Sequence, residues 1–349
     1  MVISRVGRIG AAVAMSWLFF CVTNIVATAQ PATSTDAAKQ PAEAEHEAHH
    51  TNPEDSLPAG TKILHEKNYA GGKNPAQTLD FFVPAEAKSH PVPVVIWIHG
   101  GGWHSGDKKG KMFLGLVTRG FAVASIDYRL SQEAIWPAQI YDCKAAVRWV
   151  RAQANKYNLD SKHIGVWGGS AGGHLVLMLG TTNGLKELEG DEGNQKFSSD
   201  VEAVCDWFGP TDFLHIQEQI PKTDEQHKPK IDAMSLVGML IGGPVATHEE
   251  QAKQASPITY LTKECAPTLI LHGDSDPIVP LQQSQEYYDA AKAKGANVTL
   301  HIVPNGGHGA PGFTGEVVTE SFDFFDKYLK NNDKPQPKRH TNRKSGIAQ

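Results

Sequence analysis

Short apolar segments recur along the chain, and segments with the periodicity of a helix lie between them. Six segments of strand length are continuously apolar, several of them rich in Val and Ile: residues 92–99, 121–127, 163–167, 201–208, 268–272 and 298–303. Continuous rather than alternating apolar character predicts strands that are covered on both faces. Two earlier segments, 62–69 and 78–83, predict antiparallel strands at one edge of the same sheet.

Helical patterns fill the intervals between these strands. In residues 138–157, apolar side chains recur at steps of three and four, which predicts an amphipathic helix. Three further segments predict helices: 171–180, 281–294 and 317–329. Strands and helices that alternate in this way predict an α/β fold, with a mostly parallel central sheet and helices on both faces. A short insertion is expected after the sixth strand, at about 213–259.

The N-terminal segment has the composition of an export signal. Arg5 and Arg8 precede a mostly apolar run, which is followed by Ala27-Thr28-Ala29. This order predicts a secretory signal peptide at 1–29, a periplasmic or extracellular location and no stable membrane insertion after cleavage. A transmembrane anchor is the alternative reading, but the run is at the short limit of about 18 apolar residues.

The segments on either side of the predicted fold offer little for a core to bury. Residues 30–59 are rich in Ala, Pro, Glu, Thr and His and predict a disordered tether, and residues 331–349 predict a disordered basic tail. The folded domain is therefore expected at 60–330. The chain has 349 residues, 40% of them hydrophobic, and a net charge of −5, which argues against a nucleic-acid partner.

Three cysteines would remain after removal of the signal, namely Cys143, Cys205 and Cys265. An odd number in an exported protein permits at most one intramolecular disulfide. Cys143 lies on the apolar face of the predicted 138–157 helix and is expected to be packed in the core. A Cys205–Cys265 pair stays open at this point.

A serine stands in a glycine-rich turn directly after the predicted 163–167 strand. The sequence "GGSAGG", Gly168 to Gly173, contains G-x-S-x-G, in which the serine occupies a sharp turn between a strand and a helix. Side chains two residues before and after Ser170 would collide with neighbouring backbone, which explains the glycines. Because the motif falls between a predicted strand and a predicted helix, Ser170 is a candidate nucleophile; an ordinary tight turn is the alternative.

A serine hydroxyl needs a general base and a group that orients the base. Two later strands end in suitable residues, in the chain order Ser, acid, His. "LHGDSDPIVP" offers Asp274 and Asp276, and "PNGGHG" offers His308. Spacing alone leaves both aspartates open, and we favour Asp276 because Asp274 is closer to the strand and suited to stabilising its loop.

Three consecutive glycines follow the 92–99 strand. Because glycine loses more backbone entropy on folding than other residues, their presence suggests a functional requirement for bare backbone. In "HGGGW" they expose main-chain N–H groups that can stabilise an oxyanion. We expect the hole to use the amides of Gly101 or Gly102 together with that of Ala171. A phosphate cradle is the alternative, but the Lys-Ser/Thr pair typical of one does not follow. No metal or organic cofactor is implied.

The motifs "HGGGW", "GGSAGG", "HGDSDPIVP" and "GGHG", in this order, resemble the α/β-hydrolase carboxylesterases. More narrowly, with "DYRL" at 127–130 and "FGPTD" at 208–212, they resemble the exported bacterial acetyl-xylan and feruloyl esterase-like (BD-FAE) group, related to the hormone-sensitive-lipase-like esterases. The resemblance covers about 60–330. It implies an α/β-hydrolase fold, a triad of Ser170, Asp276 and His308, and an exported serine hydrolase that cleaves short-chain acetyl or feruloyl esters on a polysaccharide. A small-molecule ester stays open as the substrate.

The resemblance has departures and rivals. Gly169 stands where hormone-sensitive-lipase-like enzymes usually carry Asp, and residues 30–60 are unsuited to an N-terminal cap. A prolyl-oligopeptidase-like peptidase shares the triad, and a non-catalytic binding protein could share the fold. Trp103, Trp136 and Trp207 are candidates for a substrate platform because aromatic faces offer large contact area, and Trp103 is the one we assign to substrate binding.

Overall fold

The computed structural model describes residues 52–220, 233–309 and 312–330. Within these ranges the chain forms an eight-stranded sheet with the order β1-β2-β4-β3-β5-β6-β7-β8. The strands are β1 Lys62–Asn68, β2 Thr78–Val83, β3 Val92–Ile98, β4 Ala122–Ile126, β5 Leu159–Gly169, β6 Ala203–Trp207, β7 Thr268–Gly273 and β8 Val298–Val303. Strands β1 and β2 pair antiparallel at one edge, and β3 to β8 run parallel, as predicted.

Helices cover the sheet from both sides. Those in the described ranges are α1 Leu114–Thr118, α2 Ala138–Ala152, α3 Ala154–Tyr157, α4 Ala171–Thr181, α5 Ile216–Gln219, α6 Ala233–Ile241, α7 Glu249–Gln254, α8 Leu281–Ala293 and α9 Glu316–Phe325. Helices α2, α4 and α8 contribute to the apolar core on one face of the sheet. Helices α1 and α9 contribute to a second core on the other face. The doubly covered sheet explains why its strands are continuously apolar.

The predicted insertion is present between β6 and β7, where α5, α6 and α7 precede the return of the chain to the sheet. The sequence prediction placed the other elements well but missed three boundaries. Helix α9 ends at Phe325 and is followed by a π-helical turn at Asp326–Lys330, where the prediction continued it to residue 329. Residues 138–157 form two helices, α2 and α3, and Asn158 ends the second in the left-handed conformation. Strand β5 begins at Leu159, four residues before the predicted start.

Helix α2 carries buried charges that hold the long connection from α4 to β6. Lys144 donates to Thr182 O and the Glu189 carboxylate, each at 2.9 Å. Arg148 donates to the main chain of Gly193 at 3.0 Å and Glu189 at 2.8 Å. These bonds give main-chain carbonyls outside the helices the partners they need in a buried setting.

Cys143, Cys205 and Cys265 are buried, and the Cys205–Cys265 disulfide that the sequence left open does not form in this structure. Cys143 is packed in the core, as expected. None of the helices in the described ranges is long and apolar enough to cross a membrane. The predicted signal peptide at 1–29, most of the tether at 30–59 and the tail at 331–349 lie outside the described residues.

Candidate active site

Ser170 occupies the sharp turn between β5 and α4. Its backbone has φ 57° and ψ −122°, a strained conformation for a residue with a side chain. A Cβ on Gly168 would lie 2.6 Å from the main chain of Gly172, and one on Gly172 would lie 2.1 Å from the carbonyl oxygen of Ile98. The predicted collision is therefore confirmed: glycine is required on both sides of the turn.

The structure brings His308 and Asp276 to Ser170 from two other strand ends. His308 follows β8, and its Nε2 lies 2.8 Å from the Ser170 hydroxyl. Its Nδ1 lies 2.7 Å from Oδ2 of Asp276, which follows β7. With Nδ1 protonated and donating to the carboxylate, Nε2 is left as an acceptor for the serine proton. Three side chains separated by long stretches of sequence thus form one continuous hydrogen-bonded line.

The two candidate aspartates have different partners. Asp274 is exposed, and its Oδ1 accepts from the hydroxyl of Ser275 at 2.9 Å and from the amide of Asn305 at 2.7 Å, so it joins its own loop to the loop that follows β8. The side chain of Asp276 is fully buried and contacts His308. Of the two carboxylates, only Asp276 is bonded to the imidazole.

Four donors surround the Asp276 carboxylate. Oδ1 accepts from the amides of Ile278 at 2.8 Å and Val279 at 3.0 Å. Oδ2 accepts from His308, and Nε2 of the buried His272 lies 3.4 Å away. Burial alone would raise the pKa of Asp276, but the hydrogen bonds from His272 and His308 outweigh it and hold the pKa well below its usual range. The carboxylate is therefore charged at neutral pH.

Phe208, which sequence reasoning did not assign to the site, packs on the imidazole of His308. The two ring centroids are 4.5 Å apart, and Phe313 contacts the same phenyl ring at 4.5 Å. Phe208 has a φ of 46°, and its amide donates to Leu271 O at 2.9 Å. Its position at the end of β6, the same edge as the other site residues, is the signal that could have identified it.

The loop of residues 99–108, here called the glycine loop, lies beside Ser170. Gly101 and Gly102 have φ of 102° and 61°, a region that side chains disfavour. Within the described residues, neither of their amides donates to another main-chain group. The amide of Ala171, in the first turn of α4, likewise has no intrahelical acceptor. These N–H groups are therefore the candidate oxyanion donors.

The insertion covers the glycine loop. A Cβ on Gly102 would lie 2.5 Å from a methyl of Leu236, which belongs to α6. The space beside this glycine is therefore occupied by the apolar side chain of α6, and Leu236 forms one wall next to the site.

Trp103 requires a correction. We predicted that it binds substrate through its ring, but the residue is only 3% exposed and belongs to the core. Its left-handed backbone, with φ 55°, is accompanied by an indole packed against His174 and Phe213. The indole N–H donates to Nδ1 of His174 at 3.2 Å. The faces of the ring are therefore not available to a substrate.

The neighbouring His99 and His174 and the two other candidate tryptophans are also buried. His99 stacks on Tyr128 with ring centroids 4.4 Å apart, and its Nδ1 lies 2.7 Å from Gly100 O, so it braces the loop. Burial lowers the pKa of His174 to about 4. Trp136 and Trp207 are 6% and 2% exposed. In the part of the chain that the structure describes, no group of three His, Cys, Asp or Glu side chains is placed to hold a metal ion.

Comparison with known proteins gives the family. A family model described as BD-FAE matches residues 79–290, and one described as PhoPQ-activated pathogenicity-related protein matches residues 246–349. Esterase LipC of Mycobacterium tuberculosis is 30% identical over 254 residues, which are 71% of this chain and 60% of that protein. The chain spans roughly half the length of the curated relatives it matches, from 44% to 60% for three of them.

Two solved structures share the fold. One, described as a truncated form of carbohydrate esterase from gut microbiota, is 36% identical with a TM-score of 0.71, covering 80% of this chain and 99% of that chain. A bifunctional GH43-CE protein of Bacteroides eggerthii is 35% identical with a TM-score of 0.67, covering 76% of this chain and 35% of that chain. Because the BD-FAE match extends over more than half of the chain, this protein belongs to the BD-FAE family and has the α/β-hydrolase fold.

Proposed function

We propose that the protein is a serine hydrolase that cleaves carboxylic esters through an acyl-enzyme. The observation that carries the proposal is the line from Ser170 Oγ through His308 to Asp276, with distances of 2.8 and 2.7 Å. At its serine end the glycine loop is close, since a Cβ on Gly100 would lie 3.3 Å from Cβ of Ser170. A nucleophile, a base, an orienting carboxylate and oxyanion donors are the groups that acyl transfer needs.

In the first half-reaction, His308 Nε2 takes the proton of Ser170 as Oγ attacks the acyl carbon. The carbonyl electron pair moves to oxygen, and the amides of Gly101 or Gly102 and of Ala171 stabilise the resulting oxyanion. Asp276 stabilises the imidazolium and does not take its proton. Collapse of the tetrahedral intermediate expels the alcohol, which receives the proton from His308 and leaves the acyl group on Ser170.

In the second half-reaction, a water molecule replaces the alcohol. His308 accepts a proton from the water as its oxygen attacks the acyl carbon, and a second oxyanion forms at the same amides. Its collapse releases the carboxylic acid and returns the proton to Ser170. One ester and one water are consumed, and one alcohol and one acid are produced.

The substrate class we propose is short-chain acetyl or feruloyl esters on carbohydrate. Membership of the BD-FAE family and the likeness to structures described as carbohydrate esterases support this proposal. The apolar wall that Leu236 forms beside Gly102 is consistent with a small acyl group. Acetate release from acetylated xylan, compared with ferulate release from methyl ferulate, tests which acyl group is preferred.

We also propose that the protein is exported and acts in the periplasm or outside the cell. The basic start, the apolar run and the Ala27-Thr28-Ala29 site support this proposal. Mass spectrometry of the protein from its native host should find Gln30 at the mature N-terminus. An intact N-terminus would contradict cleavage.

The decisive experiment compares p-nitrophenyl acetate, longer acyl esters and a proline-containing amide. We expect the acetate to be the fastest substrate and its turnover to disappear in Ser170→Ala. Amide turnover above ester turnover would favour the peptidase alternative. Absence of any turnover, together with absence of Ser170 labelling by a fluorophosphonate, would favour a non-catalytic protein.

A further inference from the structure

The segment that follows β4, residues 127–132, lies along the glycine loop and is here called the strap. It begins with the "DYRL" sequence, to which the proposed chemistry assigns no role. Two of its side chains hold the two ends of the loop. At the start, the hydroxyl of Tyr128 donates to His99 O at 3.0 Å, and the two rings stack. At the end, Asp127 accepts from the Lys108 amide at 2.7 Å and from its ammonium at 2.6 Å.

The strap also holds the middle of the glycine loop. The amide of Ser131 donates to Trp103 O at 2.7 Å. The side-chain amide of Gln132 donates to His104 O at 2.8 Å. The strap thus bonds the loop on both sides of Gly101 and Gly102 without bonding these two residues themselves.

The strap is in turn fixed to the body of the domain. Arg129 forms a bidentate pair with the fully buried side chain of Asp142 on α2, with bonds of 2.8 and 2.7 Å. Gln139 of the same helix donates to Arg129 O at 3.0 Å. The hydroxyl of the buried Tyr69 donates to Asp127 O at 2.7 Å. The strap is therefore a rigid support rather than a second flexible loop.

Such a support matters because Gly101 and Gly102 are free to adopt many backbone conformations. Oxyanion donors accelerate acyl transfer only if they point to the developing charge before the reaction. On the basis of the proposed hydrolase function, we propose that the strap holds the amides of Gly101 and Gly102 in that orientation, and that Asp127 and Tyr128 are positioning residues of the oxyanion hole.

The ion pair between Lys108 and Asp127 is the charged contact between the strap and the glycine loop. The Lys108 side chain is 5% exposed and that of Asp127 is 16% exposed, so the pair is poorly screened by solvent. Lys108 also pairs with Glu66 at 3.0 Å, but the Glu66 side chain is 65% exposed. Glu66→Gln therefore removes a charge from the same lysine without releasing the loop, which makes it the matched control for Asp127→Asn.

The test measures kcat, KM and inhibition by a trifluoromethyl ketone, whose hemiketal adduct with Ser170 carries an oxyanion. Because loss of a single oxyanion donor typically lowers kcat by about 10²–10³, we expect misorientation in Asp127→Asn to lower kcat by about 10–100-fold. KM should change less than about twofold, because the hole acts on the transition state. The inhibition constant should rise in parallel with the loss of kcat, and Glu66→Gln should retain both values.

Tyr128→Phe gives a second, milder variant, which keeps the stack on His99 and loses only the hydroxyl bond. It should show the same pattern with a loss of about threefold to tenfold, within the loss expected for one hydrogen bond. If Asp127→Asn does not fold, Tyr128→Phe alone tests whether the strap orients the oxyanion donors. Hydrogen exchange provides a readout without activity: the amides of the glycine loop should exchange faster in either variant than in the wild type.

The proposal is overturned if the folded variants keep wild-type kcat and inhibitor affinity, or if only KM changes. It is also overturned if loop amides exchange at the wild-type rate in both variants. Failure of the proposed function itself has a different signature, since the wild type would then neither hydrolyse the ester nor bind the ketone, while the exchange experiment would still report on the strap.

Discussion

Two buried carboxyl groups lie at the ends of neighbouring strands, and their surroundings are opposite. Asp276 follows β7 and is met by four donors, two of them main-chain amides and two of them imidazoles. Asp206, in β6, accepts from the amide of Gly209 at 2.9 Å. Its other oxygen, Oδ2, has no hydrogen-bond partner within the described part of the chain.

The protonation states follow from these partners. Burial raises the pKa of Asp206 to about 8, and the single bond from Gly209 does not compensate. For Asp276 burial acts in the same direction, but the hydrogen bonds from His272 and His308 reverse it. The comparison shows that burial alone does not decide whether a carboxyl is charged: donors that favour the ionised form do.

The two groups also differ in what they contact. Asp276 contacts the imidazole of His308, whereas Asp206 packs against the first turn of α4. A Cβ on Gly173 would lie 2.1 Å from Oδ1 of Asp206, and one on Gly209 would lie 2.5 Å from the main chain of Gly173. Asp206 and Gly209 therefore pack tightly against the first turn of α4, which begins directly after Ser170. A neutral Asp206 carboxyl fits the contact between β6 and the first turn of α4, because it places no unpaired charge there.

The largest effect is expected from the charged member of the comparison. In Asp276→Asn the side-chain amide donates towards Nδ1 and favours the wrong tautomer of His308, so kcat should fall by about 10⁴. Asp274→Asn is the matched control, because that carboxylate lies two residues away, accepts from Ser275 and from the amide of Asn305, and does not contact the imidazole. An asparagine keeps an acceptor for both donors, so this variant should lose no more than a few-fold. Steady-state kinetics with p-nitrophenyl acetate measures both. Equal losses in the two variants would refute the assignment of Asp276.

The neutral Asp206 carboxyl should affect how the free energy of unfolding depends on pH. The pKa of Asp206 is raised by folding, so the native state keeps a proton that the unfolded state releases above about pH 4. Stability therefore falls as the pH rises towards 8, by about 1.4 kcal/mol per pH unit from this group alone. Asp206→Asn, which cannot ionise, should lose this slope.

Urea unfolding at several values between pH 5 and pH 8 measures the slope in both proteins. Asparagine keeps an acceptor for Gly209 but leaves its amide without a partner, which should cost about 1–3 kcal/mol at every pH. Because the wild type loses about 1.4 kcal/mol per pH unit and the variant does not, the stability of the variant relative to the wild type should rise by about 4 kcal/mol between pH 5 and pH 8. Parallel stability curves would show that Asp206 is ionised at neutral pH and that the contrast with Asp276 is wrong.

The sequence predicted those parts of the molecule in which a local pattern implies a particular backbone. The strands were found because a doubly covered sheet makes them continuously apolar, and the turn at Ser170 because both Gly168 and Gly172 face main-chain atoms at less than 3 Å. The parallel arrangement of the strands also predicted that Ser170 and His308 lie at the same edge of the sheet.

The sequence could not predict contacts that depend on packing between distant segments. Trp103 was expected to face a substrate, but its ring lies in the core against His174. Phe208 was not recognised as a neighbour of His308, and Asp206 was not recognised at all. Each of these residues owes its role to what surrounds it in three dimensions, and neither periodicity nor motif spacing records those surroundings.

The smallest effect is expected from His272, the second imidazole at Asp276. Its Nε2 lies 2.9 Å from Val279 O and 3.4 Å from Oδ2 of Asp276, so its proton is shared and the bond to the carboxylate is weak. His272→Phe keeps an aromatic ring at this position but loses the Nε2 donor, while three donors to Asp276 remain. We expect kcat to fall by about tenfold, equivalent to about 1.4 kcal/mol.

Ser284→Ala is the control for this change, because the Ser284 hydroxyl lies 2.6 Å from Nδ1 of His272 and does not touch Asp276. It should retain kcat within about threefold, consistent with a neutral hydrogen bond outside the reacting groups. Steady-state kinetics on the two variants measures their loss of kcat, which can then be compared with the losses in Asp276→Asn and Asp274→Asn. A loss in His272→Phe as large as that of Asp276→Asn would mean that the carboxylate depends on one donor rather than on four, and wild-type kcat would mean that the three other donors hold it without help.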